Sequence, residues 1–233
     1  MILCLETATT VCSVALVDRE GTISLRQSSA PKSHATMLTM FASEVLEEAG
    51  VKARDLEAVA VSKGPGSYTG LRIGVSAAKG IAYGASVPLI GIETTLLMFY
   101  GMTGRAVNMF NDTSAVLFCP MIDARRMEVY YCIYDINGDK KREIAAEIIG
   151  PDSFSDIPGN QPLLIFGDGA MKCRSVIKRP GTFFADDFII DASLMQKPAY
   201  GSLDNNKIED IAYFEPFYLK DFIATTPVKN RMA

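Results

Sequence analysis

Residues 62–74 read Ser-Lys-Gly-Pro-Gly-Ser-Tyr-Thr-Gly-Leu-Arg-Ile-Gly. The run lies between a strand-like stretch, residues 56–61, and residues 69–85, where apolar side chains recur at helical spacing. Gly64, Gly66 and Gly70 permit positive φ and close backbone approach, and Pro65 stiffens the turn between the first two. Ser67 or Thr69 is placed to cap the helix, and the amides there make a candidate anion site. The glycine spacing fits neither Gly-x-x-x-x-Gly-Lys-Ser/Thr nor Gly-x-Gly-x-x-Gly. A strand–turn–helix junction remains, either a ligand loop or a tight turn.

Outward from this junction the chain alternates. Residues 2–6, 11–17 and 22–27 read as strands, the last two joined by Asp18-Arg19-Glu20-Gly21. Pro31-Lys32-Ser33 sets up a helix with Ser33 as N-cap and Met37, Leu38, Phe41, Val45 and Leu46 on one face. Strand 56–61, helix 69–85, strand 88–92 and short helix 94–100 follow, giving βββαβαβα. The second half restarts with strand 115–122 and a hairpin of 128–134 with 143–149 across Asn137-Gly138-Asp139. Strand 163–166 and helix 171–178 come next, and residues 227–231 read as a frayed tail. An acid, Glu6 and then Asp123, ends the first strand of each half, so a duplicated β-β-β-α unit is expected. The expected lobes are 1–107 and a smaller, degenerate 108–233.

Composition narrows the function classes. The 233 residues are 48% hydrophobic, enough for a large core. A net charge of −4 with scattered cations does not suit a stand-alone nucleic-acid binder. Five cysteines without Cys-x-x-Cys spacing predict buried thiols, and with no leader-like or membrane-spanning run the expectation is a cytoplasmic protein.

His34 is the single histidine, so a helical zinc pair is excluded and no metal site is expected; a Ser-His-Asp triad would depend on His34 alone. Glu6-Thr7-Ala8 follows the first strand and can face a nucleotide phosphate; Glu6, Thr7, Gly64, Gly66 and Ser67 are the candidate nucleotide-proximal residues. The matching turn, Asp123-Ala124-Arg125-Arg126, has no glycine and two bulky cations. Helix 69–85 carries Gly70, Gly74, Ala77, Ala78, Ile81 and Gly84, a ridge of small residues suited to close helix approach. Packing within the chain and docking of a protein partner both explain that ridge. Met37, Met40 and Phe41 would widen the same apolar surface.

These residues carry a resemblance. Ile2-Leu3-Cys4-Leu5-Glu6-Thr7, Cys12-Ser13-Val14-Ala15-Leu16, Ser33-His34, the 62–74 run with Ala78-Lys79-Gly80, Asp123-Ala124-Arg125-Arg126 with Glu128-Val129-Tyr130, and Pro216-Phe217-Tyr218-Leu219 are similar to the TsaB (YeaZ) family. The similarity spans nearly the full length, though Glu6-Thr7-Ala8 stands where the family more often has Asp-Thr-Ser. The resemblance implies a two-lobed α/β fold like actin, Hsp70 and sugar kinases, each lobe a ribonuclease H-like mixed sheet with flanking helices. It implies a non-catalytic scaffold that pairs through its first two helices with a paralogue, TsaD. TsaD transfers threonylcarbamoyl to N6 of adenosine 37 in ANN-decoding tRNAs, and the ATPase TsaE resets the assembly. The expected interface is His34, Met37, Met40, Phe41, Gly70, Leu71, Arg72, Ile73, Gly74, Ala77, Ala78 and Ile81. It further implies homodimers without TsaD, tRNA contact only through the complex, no cofactor on the isolated chain and ATP or ADP only at the assembled interface. The rivals are a glycoprotease-like peptidase and a free-standing ATPase of the same fold.

Overall fold

The computed structural model describes residues 1–30 and 34–220. The expected N-cap Ser33 and the tail 227–231 lie outside them. Along the chain run β1 (Ile2–Glu6), β2 (Cys12–Val17), β3 (Thr22–Ser28), α1 (His34–Ala49), β4 (Ala58–Gly64), α2 (Tyr68–Ala85), β5 (Leu89–Glu93) and α3 (Thr94–Ala106). The second half holds β6 (Leu117–Asp123), β7 (Glu128–Tyr134), β8 (Lys140–Ile148), β9 (Leu163–Phe166), α4 (Ala170–Cys173), β10 (Thr182–Ala185) and α5 (Gln196–Asp204).

Two five-stranded sheets form, ordered β3-β2-β1-β4-β5 and β10-β9-β6-β7-β8. In the first, β1–β2 and β2–β3 are antiparallel while β1–β4 and β4–β5 are parallel. The second repeats this: β6–β7 and β7–β8 antiparallel, β6–β9 and β9–β10 parallel. With β6 in the place of β1, the halves are copies of one topology, and the fold is the two-lobed α/β type of actin and the sugar kinases.

Strand alternation assigns the layers. Leu3, Leu5, Val14, Leu16, Val59 and Val61 face α1 and α2. Ile2, Cys4, Ala15, Val17, Ala58 and Ala60 face the other way, onto Leu97, Met98, Phe99 and Met102 of α3. Phe118, Cys132, Tyr134, Leu164 and Phe166 of the second sheet join this same cluster, so the halves share a core around α3. A third cluster covers the far face of the second sheet.

Three expectations change. Helix 94–100 extends to Ala106, because Gly101 lets Leu194 and Phe188 pack against the helix instead of ending it. Helix 171–178 shrinks to four residues: the Val176 and Ile177 amides both turn back to the Cys173 carbonyl, and Lys178 N donates to Pro151 O. The strand β10 and helix α5 have no counterpart in the sequence reading. Beyond β10 the chain returns to the first sheet. Ala192 N donates to Ser13 Oγ at 2.9 Å, Glu209 N to Leu89 O at 2.8 Å and Phe217 N to Lys63 O at 2.6 Å. Among the described residues no helix is long and apolar enough to cross a membrane.

Candidate docking face

The glycine run folds against the turn after β1. Ser67 caps α2, accepting from Gly70 N at 3.2 Å, and its own amide donates to Ala8 O at 2.7 Å. Thr7 Oγ1 donates to Gly70 O at 2.8 Å. A Cβ on Gly70 would collide with the Thr7 carbonyl, one on Gly74 with Thr7 Oγ1, and one on Gly66 with Ala8. At Gly64, φ is +118° and the missing Cβ makes room for the Phe217 carbonyl. These glycines therefore serve close approach within the chain.

Of the candidate nucleotide-proximal residues, Glu6, Thr7 and Gly64 lie inside this packing, Gly66 is half-buried and Ser67 is exposed. Glu6 and Thr7 are fully buried, and the Ser67 and Gly70 amides are spent on Ala8 and on the cap. Ala8 N donates to Glu6 Oε1 at 2.5 Å, while Glu6 Oε2 has no partner. The Ser62 hydroxyl lies near the carboxyl without closing a hydrogen bond to it, so both groups keep an unpartnered oxygen. Burial pushes the Glu6 carboxyl up to about 7, and the nearby Asp191 charge adds to this, against the lowering effect of the Ala8 amide. The turn after β1 therefore encloses a buried acid whose second oxygen has no partner.

The expected interface divides in two. Gly70, Leu71, Gly74, Ala78 and Phe41 are buried inside the chain, so they are not available to a partner. Arg72 is also engaged: its Nε donates to Tyr218 Oη at 3.1 Å, and the guanidinium lies 4.3 Å from the Tyr68 ring centroid. Lys79 Nζ reaches the carbonyls of Ala212 (3.3 Å) and Phe214 (3.0 Å), fastening the C-terminal segment along the same flank. His34 opens α1, with Nε2–H donating to Thr9 O at 3.2 Å, which ties the helix start to the β1–β2 turn.

The rest lies outward. Met37, Ile73, Ala77 and Ile81 are half-buried, and Met40 is exposed. Residues 73, 77, 81 and 84 fall three or four apart and form one stripe of α2. Two further residues belong here: Gly80, missed in the sequence reading, and Gly84, read there only as part of the ridge. A Cβ on either would meet nothing within 4 Å. They border a shallow cavity of ≈ 480 Å³ with Lys52, Arg54 and Ile81. The i, i+4 glycine pair was the signal, hidden because the inward Gly70 and Gly74 have the same spacing.

Other chemistry is sparse. Among the described residues no group of three His, Cys, Asp or Glu is arranged to hold a metal ion. All five cysteines are buried free thiols. Burial raises the thiols, Cys12 to about 11, which keeps them protonated and poor nucleophiles.

Fold and site together define a two-lobed α/β protein of duplicated topology, with a buried acid at the end of its first strand and a partly exposed helical flank on α1 and α2. The family model described as TsaD, tRNA N6-adenosine threonylcarbamoyltransferase, matches residues 25–172. The tRNA threonylcarbamoyladenosine biosynthesis protein TsaB of Escherichia coli (strain K12) is 30% identical over 231 residues, 96% of each chain. A tRNA N6-adenosine threonylcarbamoyltransferase of Halalkalibacterium halodurans is 47% identical over 64 residues, 28% of this chain and 19% of that one. The solved YeaZ from Pseudomonas aeruginosa superposes with a TM-score of 0.76 at 22% identity, covering 94% of this chain and 99% of that one. The chain belongs to the TsaB (YeaZ) family.

Proposed function

We propose that the chain is a non-catalytic docking subunit of tRNA threonylcarbamoyladenosine biosynthesis. On its outer α1–α2 face it seats a TsaD-type paralogue and holds it in the arrangement that transfers threonylcarbamoyl to N6 of adenosine 37 in ANN-decoding tRNA. A TsaE-type ATPase acts on the joined pair, any nucleotide sits at that joint, and without the paralogue a second copy of the chain takes the same face.

The observation that carries this reading is the open glycine pair. Glycine inside a helix is about 1 kcal/mol worse than alanine. Gly70 and Gly74 offset that by packing on Thr7, whereas a Cβ on Gly80 or Gly84 would meet nothing within 4 Å. Close approach of another helix supplies the missing compensation, and Met37, Met40, Ile73 and Ile81 supply apolar area around it. The buried Glu6 and the engagement of His34 with a backbone carbonyl support a non-catalytic role over the ATPase and peptidase readings.

Ile81→Asp tests the face, since Ile81 is only partly buried. Copurification with the TsaD-type subunit should be lost, with a melting temperature close to that of the unaltered chain. Retention of the complex by a folded Ile81→Asp chain refutes the assignment.

A further inference from the structure

The β6–β7 turn carries two arginines that docking through α1 and α2 leaves unused. Ala124 N donates to Glu128 O and Glu128 N to Arg125 O, each at 3.1 Å, closing a tight hairpin. Arg125 and Arg126 sit in it with φ of +70° and +51°. That left-handed region suits Asn and Gly, and an arginine pair there is strained. No hydrogen bond or ion pair holds either guanidinium among the described residues. Every other described arginine is held by an acid, a tyrosine or backbone carbonyls. The acids that flank the turn are already neutralised, Asp123 by Lys172 and Glu128 by Lys220. Among the described residues, two uncompensated charges therefore stand at the rim of a cavity of ≈ 580 Å³ that the Glu128–Lys220 pair also lines and whose apolar wall is Met127 and Ile148, the latter 72% exposed.

We infer that this turn grips the phosphate backbone of RNA. The planar guanidiniums bridge phosphate oxygens, and the Met127–Ile148 wall receives the adjoining base or ribose. Phosphate beside an apolar ring is what a nucleotide unit presents, whereas an acidic peptide presents carboxylates alone. Backbone contacts of this kind set position without reading sequence. They suit an otherwise acidic chain of net charge −4 that meets RNA at one place. The inference rests on the proposed role in tRNA modification; a free nucleotide shares the same phosphate chemistry.

The test is fluorescence anisotropy of a fluorescein-labelled tRNA anticodon hairpin titrated with the full chain at about 50 mM and about 200 mM salt. The double variant Arg125→Asn, Arg126→Gly places at the two positive-φ positions residues that tolerate the left-handed region well, so its melting temperature should hold or rise. Its affinity should drop about tenfold or more, with the logarithmic salt slope smaller by about 2. Arg125→Gln with Arg126→Gln, keeping longer side chains, should show the same loss. Equal affinity and slope in both variants, or no binding by the unaltered chain, overturns the inference. ATP binding that the variants lose, without hairpin binding, assigns the turn to a free nucleotide and also overturns it. Both variants should still copurify the TsaD-type subunit, so failure here is distinct from failure of the docking face.

Discussion

Glu6 is a carboxyl buried without a partner for its charge. Its folded value of about 7 lies above the ordinary 4.5, so the folded chain keeps a proton that the unfolded chain releases. Stability from this group is complete below about 4.5 and is lost as pH rises through about 7, by up to roughly 3 kcal/mol. Melting temperatures should therefore fall by about 5–10 °C from acidic to mildly alkaline buffer. Glu6→Gln should flatten that profile and melt higher than the unaltered chain at alkaline pH. Parallel profiles for the two would remove Glu6 as the cause. The acid at the end of the first strand was legible in the sequence. Its enclosure was not, because the cover includes the Asp191–Ala192 region, nearly the whole chain away.

Helix α2 presents two glycine stripes with opposite jobs, and substitutions on them should differ in sign. Gly70→Ala drives a methyl group into a backbone carbonyl that has no room to yield, and overpacking of this kind costs about 1–3 kcal/mol. Gly80→Ala adds a methyl group in open space and should stabilise the isolated chain by up to about 1 kcal/mol. Urea unfolding of the two variants measures both. A gain at Gly70 or a loss at Gly80 would reverse the assignment of faces. For the same reason Gly74→Leu would damage the fold before it reached any partner. Periodicity in the sequence marks a single ridge that merges the two stripes and omits Gly80. Which one faces inward depends on where Thr7 lies, and that is set by the pairing of β1 with β4.

At the scale of the molecule, the shared core makes the two halves one cooperative unit. Phe99 meets Phe118 at 5.3 Å and Tyr134 at 5.0 Å between ring centroids, joining α3 of the first half to two strands of the second. Phe99→Ala should cost about 3–5 kcal/mol. It should also shift near-UV and far-UV circular dichroism transitions together; separation of the two signals would mean that the halves unfold independently. Much of this architecture is written locally. Alternating apolar residues give most of the strands and turn residues give the hairpins, and the acid closing each first strand announces the duplication, since each signal acts over a few neighbouring residues. The sequence by itself therefore determined the order of elements as far as β9, the repeated lobe and the glycine junction that carries the family resemblance. Tertiary structure alone decided that α3 runs on past Gly101, that β10 and α5 form, that Glu6 is enclosed and that Gly80 and Gly84 are the glycines of α2 left open. Those outcomes depend on contacts between residues far apart in the chain, where burial and close packing override the local preferences that a sequence displays.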